Sequence, residues 1–499
     1  MQRFESWDEI DAYYQGGLTL AEQKLKIALA TGAPCTLGDL PNKPVDWSKP
    51  DPTRHIRADV LRYALTRPFG ADDATEFGVS LYGAAISGEL DLIDCTIHGN
   101  ASLRQCRFQK MLFADRARFM KNVNLTGSHL PALLAPTAYV NGQLICRGTI
   151  FTAKHGSALD LQGIAVEHDV FLTGASANAS VDLNGAIIGG QLGLRGMTLS
   201  VKAGLALDLE GVKIESGFFF IDIKSVVGSI DLSSAHVGNL VDDPASWDKV
   251  TNLILDGFTY DRISGSQSST DYKTRLRWLK TSDNSTAKFR PQPYNQLAKV
   301  LREMGHERDA REIKVVLAGK LKTQDRKERV IKPNGNWGVG VASAWRDLSN
   351  AALWIWHVTS LRFIGHGYKP ENAIAVLLTL ILFAWGAADQ AWKAGDFAPN
   401  SALILNSDDW RALSNAPHQA QAWGETVVGK DWESFNSFAY AADVVIPIVD
   451  FSQTQAWAPS TNRGPWGATL WWARWLFTAA GWIISALGAA AITGVIRRE

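Results

Sequence analysis

The chain has 499 residues with 50 basic and 50 acidic side chains, so its overall charge points to no polyanionic or polycationic partner, and its length allows two or three domains. The four cysteines (Cys35, Cys95, Cys106 and Cys146) form no CxxC pair and have no histidine at ligand spacing, which argues against a disulfide framework or a zinc site and predicts buried thiols. Of 19 tryptophans, 15 lie from Trp337 onward, which sets a membrane-facing C-terminal region apart from an ordinary soluble N-terminal one.

Residues 1–78 read as an N-terminal helical cap. Leu20 to Ala30 has helix composition, a Pro-rich linker follows, and Ile56, Val60, Leu61 and Ala64 share one helical face. The first 30 residues lack the basic start and apolar core of a signal peptide, so this region is expected to stay in the cytoplasm.

From 79 to 265 short apolar-polar-apolar triplets recur between glycines. The triplets LDL, LDLQG, VDLNG, LDLEG and IDLSS place Asp at 91, 160, 182, 208 and 231, at spacings of 69, 22, 26 and 23, and 69 is three times 23. A period in the twenties is the signature of a solenoid. Apolar residues return every five or six positions (Leu81, Ile86, Leu92, Ile97, Leu103), as a four-sided coil with one inward residue per side requires. The expected fold is a right-handed parallel β-helix of about eight coils with capped ends. The Asp column is expected to be solvated and structural.

Residues 266–336 read as a basic helical hairpin or linker. Leu297, Val300, Leu301 and Met304 share one face, Gly305 stops it, and Ala310, Ile313, Val316 and Leu317 form a second. Lys273 to Arg346 holds 18 Lys and Arg against 7 Asp and Glu, a local balance of +11. Lys320, Lys322, Arg326, Lys327, Arg329 and Lys332 are expected to contact anionic lipid. No nucleic-acid motif accompanies this charge, so no nucleic-acid partner is expected.

Residues 337–499 read as an α-helical membrane domain. An interfacial helix is expected at 345–362, a first span at 372–392 and a second at 475–496, whose 22 uncharged residues match the roughly 20 needed to cross a bilayer core. The connecting segment from Asp389 to Arg463 has nine acidic and four basic residues, and the flanks are basic; the positive-inside rule places both termini in the cytoplasm and the loop outside. Within that loop, 432–457 reads as a short helix broken at VIPIVDF by Pro447, the ordering of a re-entrant pore loop. Asp443 and Asp450 are candidates for a carboxylate ring favouring cations, and Gly481, Gly488 and Gly494 for close helix packing in the second span, including between protomers.

The coils resemble pentapeptide-repeat and related quadrilateral β-helix proteins. The C-terminal part is similar to a two-span, ion-channel-like membrane domain found on some bacterial β-helix proteins, with GxGYxP, PIVD and TGxxRR elements at Gly365–Pro370, Pro447–Asp450 and Thr493–Arg498. The resemblance implies a bacterial inner-membrane location. Members are sometimes labelled membrane-associated oxidoreductases, but no residues here justify that label. The potassium-filter sequence TVGYG is absent, as are Walker, HExxH, GxSxG and dinucleotide motifs, so neither an enzyme nor a cofactor is expected. The expected function is an oligomeric channel or membrane-permeabilising effector, most simply a cation-conducting tetramer gated by a ligand or protein on the β-helix. The competing expectation is a non-conducting, membrane-tethered β-helix scaffold for protein contacts.

Overall fold

The computed structural model describes residues 2–38, 45–47, 51–67, 77–286, 288–329 and 371–492. The chain divides into two compact units, Met1–Ile313 and Lys314–Glu499.

The first unit is a parallel β-solenoid of about eight turns. One turn shows why the sequence coils. Four short strands, Leu90–Asp91, Thr96–Ile97, Asn100–Arg104 and Arg107–Phe108, each pair in parallel with an equivalent strand one turn on: Leu112–Phe113, Arg118–Phe119, Val123–Asn124 and His129–Leu130. Strand alternation turns both leucines of L-D-L inward and the Asp outward. The second apolar position accordingly builds one buried stack: Leu92, Ala114, Ala135, Leu161, Leu183, Leu209, Leu232 and Leu255.

The register explains the 69-residue gap. Asp91 pairs with Phe113, Phe113 with Leu134 and Leu134 with Asp160, so two turns carry apolar residues in the Asp column. Three positions beyond each member of the column the backbone enters the left-handed region, at Asp94, Arg116, Thr137, Gly163, Gly185, Gly211, Ser234 and Gly257. This corner needs positive φ, which glycine supplies without steric cost and Thr137 does not. The Asp side chains support the same corner. Oδ1 of Asp91, Asp160, Asp182, Asp208 and Asp231 each accepts the N–H two residues on.

Stacking these acids has an electrostatic cost. Burial first, and then the neighbouring Asp182 and Asp231, hold the Asp208 carboxyl above the usual range. A raised carboxyl pKa in the folded state means that its penalty is absent below the unfolded pKa and develops as pH rises through the window up to the folded one. Asp208→Asn keeps an oxygen for the Glu210 N–H and removes the charge. It is expected to stabilise the solenoid at neutral pH by roughly 0.5 kcal/mol, the scale of a cross-strand charge pair. That advantage should vanish in melts taken below the normal carboxylate range.

Helices α1 (Trp7–Tyr13), α2 (Leu20–Thr31) and α3 (Ala58–Thr66) cover the N-terminal end. The expected helix around Ile56 begins at Ala58, because His55–Arg57 pairs with Ala85–Ser87, and Cys35–Thr36 pairs with Leu81–Tyr82. Part of the stretch expected to be helical therefore lays the first strands of the solenoid. Glu22, at 0% exposure, completes a capping box with Thr19 and receives both the Arg57 backbone N–H and Nε at 2.9 Å. Arg57 also lies 3.5 Å over the Tyr14 ring.

At the other end the inward ladder reaches Asp242, paired in register with Phe220. Asp242 is 1% exposed, and Arg275, on α4 (Tyr272–Ser285), grips it through two bonds of 2.6 and 2.9 Å. The Trp247 indole donates to the same carboxylate at 2.7 Å. Helix α5 (Gln292–Glu303) follows, Gly305 turns the chain at φ +86°, and α6 (Glu307–Arg329) begins.

In the second unit, α7 (Glu371–Lys393), α8 (Ser437–Val445) and α9 (Pro465–Ile492) surround an apolar cluster. Two of them, over Asn372–Lys393 and Pro465–Ala490, are long and apolar enough to cross a membrane. The second starts ten residues before the expected Trp475. Pro465 at its first position fits a helix start and nothing breaks the pattern after it, so Arg474 lies within the helix instead of flanking it. Large apolar side chains such as Leu378, Phe383, Leu476 and Ile483 remain exposed, as lipid-facing residues would be. The expected interfacial helix at 345–362 lies outside the described residues.

Candidate functional site

The site is built by α8 and the chain that returns from it. Asn436 caps α8 by accepting the N–H groups of Phe438 and Ala439 at 3.0 Å. The helix then packs between α7 and α9. Its first residue, Ser437, accepts the Trp385 indole N–H at 3.0 Å, and its last turn meets Leu377 and Ile381, so it runs antiparallel to α7 toward that helix's middle. On the other side Thr478 Oγ1 donates to the Val444 carbonyl at 3.0 Å. The Val445 carbonyl faces Gly481, where an added Cβ would fall 1.7 Å from its oxygen.

Gly481 therefore serves a close approach within one chain. Gly488 does the same more loosely, with a Cβ position 3.3 Å from Ala373 Cβ on α7. At both positions the close neighbour belongs to the same chain, α8 at Gly481 and α7 at Gly488. Gly494 lies outside the described residues.

After α8 the helix stops at Ile446, before Pro447, and the chain turns back. Asp443 holds the return: its carboxylate accepts the N–H groups of Phe451, Gln453 and Thr454 at 2.5, 2.9 and 3.3 Å. Buried Gln453 ties the ascending chain to the start of α8, accepting from Asn436 N and donating to Ser434 O. Asp443 is thus committed to the loop's own backbone. Asp450, by contrast, sits exposed after the turn, accepting from Ser452 N and Gln455 Nε2, two positions from Ile448 at 88% exposure.

Sequence reasoning missed three features. The stretches 394–435 and 456–464, on either side of α8 and its return, fold into a small tryptophan-cored cap, where Trp392 stacks on Phe435 at 4.3 Å and Phe397–Pro399 pairs antiparallel with Trp457–Pro459. Its helices, such as Asp408–Ala412 and Gln419–Gly424, are too short for periodicity to announce them; the density of Trp was the available signal. Buried Asp396 accepts the Gly467 N–H at 2.8 Å in the first turn of α9, an anionic cap that favours the positive end of a long helix. Arg474, inside α9, lies over Trp471 and Trp475 at 5.2 and 5.4 Å, near Tyr440 of α8.

Of the expected lipid-contact residues, Lys320 and Lys322 are half-buried on α6, and burial lowers the Lys322 pKa. The side chains of Arg326, Lys327 and Arg329 and all of Lys332 lie outside the described residues, as do the Gly365–Pro370 and Thr493–Arg498 elements. Among the described residues no group of three or more His, Cys, Asp or Glu is placed to hold a metal. Comparison with protein-family models finds no match to the chain, and comparison with curated proteins finds no relative.

Proposed function

We propose that this protein is an oligomeric membrane channel, or a membrane-permeabilising effector, in which the segment from Ser437 to Trp457 is a re-entrant loop. The observation that carries this reading is depth. Helix α8 reaches the middle of two helices able to cross a membrane, and the chain then returns to the end where it started. Non-helical backbone at such a depth is tolerated only where protein buries it or where it lines water.

The C-terminal end of α8, with its partial negative charge, and the exposed Asp450 carboxylate both favour cations. Asp443 is the clamp that shapes the loop, so selectivity falls to Asp450. Two spans cannot enclose a water path alone, so the reading requires a closed ring, with a tetramer as its simplest form. In this reading the solenoid is right-handed and pentapeptide-like, the termini are cytoplasmic, the membrane is the bacterial inner membrane, and the solenoid gates the spans.

Cation flux through liposomes containing the purified protein tests it. Asp450→Asn is expected to cut cation-over-anion selectivity several-fold while the oligomer stays intact. A monomeric particle in mild detergent, or liposomes impermeant under every condition tried, would instead favour the scaffold role.

A further inference from the structure

One face of the solenoid carries a groove of about 740 Å³, within the roughly 300–1,000 Å³ range of small-molecule sites. Its origin is local. In the outward column His55 pairs with Ala85, Ala85 with Arg107 and Arg107 with His129, so the small Ala85 leaves a dent between longer side chains. Buried Ile86, Phe108 and Leu130 form an apolar floor. The turn from Leu134 to Asp160 is longer than the one before it, and Thr152, Lys154 and His155 of the extra length form a wall.

The chemistry of the lining is one-sided. It contains Arg107, Lys110, Lys154 and three histidines, His55, His129 and His155, and none of its described residues is Asp or Glu. Arg107 is held in place by donating to the Trp47 carbonyl at 3.0 Å. The chain is neutral overall, so a concave face with three cationic side chains, three histidines and no carboxylate among its described residues is a local excess of positive potential. Burial first, and then the Arg107 charge, lower the His129 pKa and favour its neutral, hydrogen-bonding form.

We infer that this groove binds a soluble small molecule bearing two or three linked phosphates, with the Arg107 guanidinium and the Lys110 and Lys154 ammonium groups meeting the phosphate oxygens. Arginine matches such oxygens through paired N–H donors, and the histidines supply further N–H groups. Arg107 and Lys110 lie at the Arg107–Phe108 strand and Lys154 just after the Ile150–Phe151 strand two spacings on, a separation of roughly 10 Å that suits a chain of phosphates better than a single anion. The inference deepens the channel reading, since it names the ligand class that would bias the gate.

Calorimetric titration of the full-length protein in detergent with inorganic triphosphate and with ATP tests it. Binding is expected, with affinity falling as salt rises. Arg107→Gln with Lys154→Gln should weaken it at least tenfold, while Lys202→Gln, on a different strand, should leave it unchanged. Both groove side chains are exposed, so an unaltered melting curve will confirm intact folding. Absence of binding at millimolar triphosphate, equal binding by the double variant, or binding only to phosphatidylglycerol vesicles or single-stranded RNA would overturn the inference. Flux is scored separately: binding without flux under any condition removes the channel and leaves the groove, whereas flux without binding does the reverse.

Discussion

Arg275→Ala is expected to destabilise the solenoid unit by about 3–5 kcal/mol, the cost of stranding one member of a buried ion pair. Asp242 is buried in the position that earlier turns fill with leucine, cysteine or phenylalanine, and Arg275 and Trp247 supply its partners. Removing the guanidinium leaves the carboxylate facing Trp278 and Tyr260 without its countercharge. Thermal melts should show the loss, and hydrogen exchange should place it in the strands Ser225–Asp231 and His236–Asp242. The double change Asp242→Leu with Arg275→Met should recover most of it, because an apolar pair of similar volume needs no hydration to be replaced. If the single variant melts like the native protein, the pair is not what closes this end.

If the protein conducts as proposed, Gly481→Val is expected to cut conduction more than tenfold. Its Cβ would sit 1.7 Å from the Val445 carbonyl, backbone that cannot rotate away, so either α8 leaves its place or α9 bends. Gly488→Ala, whose Cβ would meet only Ala373 at 3.3 Å, should be far milder. Hydrogen exchange in detergent provides a readout that does not depend on flux. Protection across 437–457 should fall in Gly481→Val and persist in Gly488→Ala. Native protection in Gly481→Val would mean that α8 does not rest on α9 as described.

Much of the solenoid was legible because L-D-L states both the strand alternation and the coil period. Where the period survived but the residue type changed, at Phe113 and Leu134, spacing still carried the register. The corners at Arg116, Thr137 and Ser234 were hidden, since only glycine advertises a left-handed backbone. Asp242 was hidden for the opposite reason: a carboxylate in an inward slot looks like an outward one until its partner 33 residues later is in place.

In the second unit, length and apolar composition found both long helices, but the start of α9 was misread because a lone arginine resembled a flank. Arg474 fits inside a helix only because Tyr440, Trp471 and Trp475 surround it, a fact of tertiary structure. The role of Asp443 was equally out of reach. Its three backbone donors lie eight to eleven residues away across a turn whose course no local pattern dictates.

The two arginine pairs on buried carboxylates, Glu22 with half-buried Arg57 and Asp242 with buried Arg275, have a further consequence for the ends of the solenoid. A coil of parallel strands presents at each end a row of unmatched N–H and C=O groups that could template another coil, whether from a neighbour or from a duplicated stretch of the gene. Each pair anchors a covering segment with bonds that are costly to open by one partner alone. The solenoid is therefore a gauge of fixed length with a stop at each end, its terminal strand edges guarded against templating another coil.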